Sequence, residues 1–281
     1  MDFLRPSTWE EALAAKAAHP DATPIAGGTD VMVELNFDRR RPPALIDLTR
    51  VAALTEWGGD GDLLRVGAGV PYRRIIEELG DRLPGLAMAS RTVGSPQIRN
   101  RGTVGGNLGS ASPAGDAHPP LLAAGAEVEL ASVRGTRRVP AREFFTGPKR
   151  SVLAPDELIA AFWVRPGSAE QFAKIGTRNA MVIAVCSFAL ALDPERRTVG
   201  TGIGSAAPTP LRATEAEAFL AASLDWDLRH PVPENVTAEF GRLVAEAAAP
   251  IDDVRGTAGY RRHALSVLAR RTLTWAWGGL R

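Results

Sequence analysis

The chain has 281 residues, 45% of them apolar and 23% charged, enough for one large or two ordinary globular cores; disordered and fibrous architectures are excluded. Lys plus Arg number 33 against 32 Asp plus Glu, and a net charge of +1 supplies no field for non-specific nucleic-acid binding. The single cysteine, Cys186, excludes an intrachain disulfide, a four-cysteine zinc site and an iron–sulfur cluster held by this chain, and the apolar run around it marks a buried, inert thiol.

Ser7-Thr8-Trp9-Glu10 has the spacing of a capping box at Ser7 and Glu10, and the alanine-rich stretch behind it predicts a helix to about His19, stopped by Pro20. An extended run, Thr23-Pro24-Ile25-Ala26, breaks into Gly27-Gly28-Thr29-Asp30, followed by a helical segment over 31–35 and a buried strand over 44–48. The Gly/Asp cluster 58–62 predicts the turn of a hairpin between 54–57 and 63–67. Segments 72–79 and 86–92 read as helices, and 94–119 as a long Gly-rich segment of the kind that is usually functional. Residues 126–131 alternate as a strand that turns at Gly135-Thr136, and 158–164 form another, closed by Pro166-Gly167-Ser168. Beyond that boundary three strands are expected at 171–176, 181–192 and 196–204. Helices follow at 213–221, 234–248 and 258–277, the last with an apolar stripe through Leu265, Leu268, Ala269, Thr272, Leu273 and Ala276.

The sequence lacks a Gly-Lys dipeptide, a His-Glu-x-x-His and a Gly-x-Ser-x-Gly, so the P-loop, zincin and hydrolase-elbow chemistries are absent. The four histidines are scattered, which argues against a metal site. No apolar run approaches the roughly 20 residues that cross a bilayer. Residues 1–6 lead to Glu10 and Glu11 rather than to a signal-peptide core, so a cytoplasmic location is expected. Two Gly-rich stretches remain. Ala26-Gly27-Gly28-Thr29-Asp30 follows a strand and precedes a helix, where backbone amides unobstructed by a Cβ form a nest for pyrophosphate. Gly102-Thr103-Val104-Gly105-Gly106-Asn107 offers the same chemistry with added hydroxyl and amide donors. Two such stretches suit a long two-headed ligand such as a dinucleotide; tight turns that need glycine for positive φ account for them equally well.

At these residues the sequence resembles the FAD-binding subunit of molybdenum hydroxylases, the group of the carbon monoxide dehydrogenase medium subunit and the flavin segment of xanthine dehydrogenase. The likeness runs through Ala26-Gly27-Gly28-Thr29-Asp30, Gln97-Ile98-Arg99-Asn100-Arg101-Gly102-Thr103-Val104-Gly105-Gly106-Asn107, Ala111-Ser112-Pro113-Ala114-Gly115-Asp116, Gly176-Thr177-Arg178-Asn179-Ala180, Ala207-Pro208-Thr209-Pro210-Leu211-Arg212 and Tyr260-Arg261-Arg262. The resemblance implies an α+β, two-subdomain FAD-binding fold of the vanillyl-alcohol oxidase / p-cresol methylhydroxylase type over 1–166, with subdomains about 1–55 and 56–166. A C-terminal α+β domain with an antiparallel sheet and helices would span 170–281.

It further implies non-covalent FAD held by Ile25, Ala26, Gly27, Gly28, Thr29 and Asp30 at the pyrophosphate. Gly102, Thr103, Val104, Gly105, Gly106 and Asn107 would form the second phosphate and ribityl loop, with Ser110 at another contact. Asp116 would reach the cofactor's hydroxyls, Ile159 would lie against the ring system and Lys174 near the flavin. Where some relatives carry a histidine in the first loop this chain has Thr29, which excludes a histidyl-flavin link there. The implied role is an electron-transfer oxidoreductase subunit of a heterotrimer. Its large partner would hold the molybdenum cofactor, its small partner would hold [2Fe-2S] clusters, and NAD or another molecule would be the acceptor. This chain would supply neither a metal site nor an acid–base catalyst. The alternatives are a self-contained FAD-dependent oxidoreductase of the same fold and a flavin-free assembly scaffold.

Overall fold

The computed structural model describes residues 1–167 and 169–280; Ser168 of the expected closing turn and Arg281 lie outside the described residues. The N-terminal part opens with β1 (Asp2–Leu4), α1 (Trp9–Ala18), β2 (Thr23–Ile25), α2 (Val31–Asn36) and β3 (Ala44–Asp47). Its strands form a three-stranded parallel sheet in the order β1-β3-β2. The capping box sits one residue later than the sequence suggests. Thr8 caps α1, its Oγ1 accepting from the Glu11 amide at 3.1 Å while the Glu11 carboxylate accepts from the Ser7 and Thr8 amides at 2.7 and 3.3 Å. Glu11 reaches two amides at once, so Thr8–Glu11 displaces the equally spaced Ser7–Glu10.

A five-stranded antiparallel sheet follows, in the order β4-β5-β10-β6-β7. It comprises β4 (Trp57–Asp60), β5 (Leu63–Gly67), β6 (Glu127–Ser132), β7 (Gly135–Pro140) and β10 (Leu158–Val164). Between β5 and β6 run α3 (Tyr72–Glu78), α4 (Pro84–Arg91), α5 (Pro96–Arg101), α6 (Val104–Ser110) and α7 (His118–Ala123), and between β7 and β10 lie α8 (Ala141–Phe144), β8 (Phe145–Gly147) and β9 (Arg150–Ser151). The hairpin turn is narrower than expected: Gly58, Gly59 and Asp60 pair with Arg65, Leu64 and Leu63, and only Gly61, at φ +60°, and Asp62 remain to turn. Likewise Ser132 pairs with Gly135, so the β6–β7 turn falls on Val133-Arg134 rather than on Gly135-Thr136. The Gly-rich segment 94–119 is not a long loop. Ser95 and Thr103 each cap a short helix, and those caps satisfy amides that a loop would leave to solvent.

The C-terminal part holds a three-stranded antiparallel sheet, β11 (Ala169–Ile175), β12 (Cys186–Asp193) and β13 (Thr198–Gly204), then α9 (Thr214–Ser223), α10 (Glu234–Ala247) and α11 (Ala258–Gly279). The middle strand starts at Cys186 rather than 181, because its partner β11 ends at Ile175, opposite Cys186, and the connection between them includes Met181 at φ +50°. Both faces of this sheet are covered. Cys186, Phe188, Leu190 and Leu192 join α9–α11 in one core, whereas Ala189 packs with Phe172 against Ala89 of α4 and Ala123 of α7. Burial pushes the Cys186 thiol up to about 12, which keeps it protonated and inert. The motif arginines near the C-terminus are structural: Arg212 forks onto Glu217 at 2.7 and 2.9 Å, and buried Arg261 holds the Ser205 carbonyl and Asp253.

The inner face of β13 is a glycine stripe. A Cβ on Gly200 would stand 1.9 Å from the Ala123 carbonyl oxygen and one on Gly202 would stand 2.0 Å from that of Pro119, so α7 lies backbone to backbone on the sheet. The expected result of Gly202→Ala is overpacking at this seam and a loss of about 1–3 kcal/mol, read as a lower urea midpoint. An unchanged midpoint would contradict the close approach.

Candidate functional site

The last ladder bond of β2 is Leu48 N–H to the Ile25 carbonyl, at 2.9 Å. The chain then leaves the sheet through Ala26 to Asp30, with Gly28 at φ +75°, and re-enters regular structure when Met32 N–H bonds the Gly28 carbonyl at 3.0 Å. Among the described residues, the amides of Ala26, Gly27, Gly28, Thr29 and Asp30 donate to no protein acceptor. Open amides on a turn with a positive-φ glycine make a cradle for an anion. Gly27 is required by a neighbour: a Cβ there would lie 1.9 Å from the Arg101 carbonyl oxygen and 2.9 Å from the Gly102 nitrogen. The two motifs, distant in sequence, touch through their backbones.

The second stretch behaves differently from the first. Thr103 Oγ1 accepts from Gly106 N–H at 2.9 Å, and Gly105 N–H donates to the Ala68 carbonyl at 3.2 Å. With those amides satisfied, 102–107 is a capped helix start rather than a second open cradle. Asn107 is also partly committed, its Oδ1 accepting from Ala117 N–H at 3.2 Å and its carbonyl oxygen lying 3.1 Å from His118 Nε2. Burial pushes that imidazole down to about 4, so it is neutral. Ser110 Oγ donates to the Asn107 carbonyl at 2.9 Å. Val104 and Ile159 are buried, and Ile159 brings its Cδ1 to 3.7 Å from the Cβ position of Gly109.

Asp116 and Lys174 are brought onto each other. Lys174 Nζ lies 2.6 Å from Asp116 Oδ2 and 3.3 Å from the Thr92 carbonyl, with both side chains over 90% buried. Burial nevertheless pushes the Asp116 carboxyl above its ordinary value, against the pull of Lys174. Its Oδ1, and the Tyr72 hydroxyl, are buried oxygens without a protein partner. Chemically, the assembly offers a string of amides for a dianion, then one carboxylate oxygen and one phenol for hydroxyl-bearing groups.

Three residues here carried no sequence signal strong enough to single them out: Tyr72, Thr92 and Glu170. Glu170 explains how β11 positions Lys174. Both residues share the β11 face that covers α4, spaced about 13 Å along a strand, and α4 is about 12 Å long. Glu170 Oε2 accepts from Gly85 N–H at 2.9 Å at the helix start, and Lys174 meets the Thr92 carbonyl at its end, so an acceptor oxygen and a cation stand at the helix ends that need them. An acid and a base on alternate strand positions facing a short helix was the legible clue.

Burial pushes Glu170 up to about 7 from an ordinary 4.5. Between those values the folded chain holds this proton and the unfolded chain does not, so stability falls as pH rises from 4.5 through 7. Glu170→Gln keeps an acceptor for Gly85 and removes the titration. Denaturation at about pH 5 and about pH 8 is expected to show wild type losing a few kcal/mol that the variant retains; parallel profiles would refute the buried acid.

The FAD binding domain in molybdopterin dehydrogenase matches residues 1–182, and the CO dehydrogenase flavoprotein C-terminal domain matches 171–276. The nicotine 6-hydroxylase medium subunit of Paenarthrobacter nicotinovorans is 32% identical, over 98% of this chain and 96% of that subunit. The xanthine dehydrogenase FAD-binding subunit of Escherichia coli O157:H7 is 30% identical, over 98% and 95%. Among solved structures, a chain of the carbon monoxide dehydrogenase of Hydrogenophaga pseudoflava superposes with a TM-score of 0.90 at 27% identity, covering 99% of this chain and 98% of that one. With these matches along its length and the α+β architecture they share, the chain belongs to the FAD-binding subunits of the molybdopterin dehydrogenases.

Proposed function

We propose that this subunit carries FAD as the electron relay of a multi-subunit molybdenum hydroxylase. A small partner with [2Fe-2S] clusters supplies electrons drawn from a large partner's molybdenum cofactor, and NAD⁺ or another acceptor takes them away. The single observation that carries the reading is the row of open amides from Ala26 to Asp30, held against Arg101-Gly102 by the bare Cα of Gly27. A pyrophosphate is dianionic, and amides without competing acceptors suit it.

FAD supplies the exchange between single electrons and electron pairs. The chain's own residues bind and orient. Ile25 to Asp30 take the pyrophosphate; Gly102 to Asn107, with Ser110, line the adjoining stretch; Asp116 Oδ1 accepts from a cofactor hydroxyl; Ile159 closes the apolar side. The attachment is non-covalent, since Thr29 offers no imidazole to the first loop. Because Lys174 is paired with Asp116, its influence on the flavin is that of a nearly neutral pair rather than of a free cation. Two separate apolar cores, one around β5, β10 and β6 and one around β12 and α11, support a domain boundary after residue 166. No helix among the described residues is long and apolar enough to cross a membrane.

The test is an absorption spectrum of the subunit purified with its partners, followed by chromatography of what acid releases. Flavin bands and free FAD are expected, and a colourless complex that refuses added FAD would overturn the reading. Gly27→Val, which drives a side chain into the Arg101 carbonyl, is expected to weaken FAD retention by about tenfold or more, the worth of 1.4 kcal/mol. Equal FAD content in the variant would move the cofactor away from this loop.

A further inference from the structure

We propose that Tyr72 is a further cofactor-binding residue, its hydroxyl donating a hydrogen bond to an oxygen of the chain that links the two ends of FAD. The assignment rests on the FAD reading above and names a residue that the glycine motifs do not contain.

Tyr72 is the first residue of α3, but its environment belongs to the second motif. Its amide donates to the Gly102 carbonyl at 2.9 Å, its neighbour Pro71 is bridged to Thr103, and its ring edge lies 3.3 Å from where a Cβ on Gly102 would stand. The ring is therefore fixed against the residue that enters the Thr103 cap. The side chain is only 3% exposed, and its hydroxyl has neither solvent nor a protein partner. A phenol buried in this way is normally paired. The polar groups around it explain why the partner comes from a ligand. Asp116, in the turn before α7, and Asp30, at the end of the first loop, both act on it electrostatically, and neither is hydrogen-bonded to it. Burial and the two carboxylates hold the phenol protonated, so it is a donor. The donor thus lies within electrostatic reach of both the loop assigned to the pyrophosphate and the carboxylate assigned to the hydroxyls. An oxygen-rich linker passes between those two points.

Tyr72→Phe removes one oxygen and keeps the ring, so its two effects carry opposite signs. Without FAD, the variant subunit in its complex is expected to melt at the same temperature as wild type or higher, because an unpaired buried hydroxyl is gone. With FAD, the dissociation constant, read by flavin fluorescence on titrating the deflavinated complex, is expected to rise about tenfold. The melting shift on adding FAD shrinks accordingly. A merely structural tyrosine would lower the FAD-free melting temperature and leave the dissociation constant unchanged, and that result would overturn the assignment. Failure of wild type itself to bind FAD would remove the FAD reading and this assignment with it, which separates the two failures.

Discussion

The carbonyl oxygen of Arg101 stands where a side chain on residue 27 would have to be. That contact makes one wall out of two motifs from different supersecondary units. The first arrives on β2 of the parallel sheet, and the second arrives between α5 and α6 beneath the antiparallel sheet. Backbone packing against backbone leaves no side chain to adjust, so the two motifs are held directly against each other. The turn at Gly28 then presents its amides outward instead of folding them back into a ladder. A ligand long enough to touch both motifs meets a surface that is organised beforehand, which lowers the ordering cost of binding.

The same economy of side chains recurs at the seam with the C-terminal sheet. Gly200 and Gly202 let α7 settle on β13, and α7 begins two residues after Asp116. From β11, at the opposite edge of the same sheet, Glu170 and Lys174 hold the two ends of α4, and Lys174 continues to Asp116. The buried ion pair contributes little net stability, since desolvating both charges offsets much of their attraction. What it does fix is position: it ties a strand of one sheet to the turn that carries a site carboxylate of the other part. Any shift of the C-terminal sheet is therefore felt at Asp116.

How much of this was legible in the sequence depended on the range of the interaction. The long elements followed from apolar periodicity; β10 runs over 158–164 as the pattern says, and α11 buries the stripe from Leu265 to Ala276. The structure departs from the local pattern where two solutions have equal spacing, as with Ser7–Glu10 against Thr8–Glu11, or where pairing draws glycine into a strand, as at Gly58 and Gly59. The site itself was visible as glycine motifs, because a close approach leaves its mark in residue type. What the glycines could not reveal was which amides stay open. Gly105 and Gly106 look like Gly27 and Gly28 in sequence, but the Ala68 carbonyl and the Thr103 hydroxyl claim their amides. Tyr72 and Thr92 act through tertiary neighbours and carry no local pattern, and Glu170 shows only its even spacing from Lys174 along one strand face.

The division of labour between the two oxygens of Asp116 bears on what kind of ligand the site favours. Oδ2 is neutralised by Lys174, and Oδ1 faces no cation among the described residues. A carboxylate in that state repels a phosphate and accepts well from a hydroxyl, whereas the amides of Ala26 to Asp30 do the reverse. On the proposed assignment the site is thus polarised, with anion-binding amides in one loop and a polyol-binding carboxylate in another. A mononucleotide would satisfy only part of this arrangement, and a free polyol only the other part. A cofactor with a pyrophosphate continued by a hydroxylated chain satisfies both ends at once, and this sequence of chemistries, more than the presence of glycine, supports FAD as the occupant.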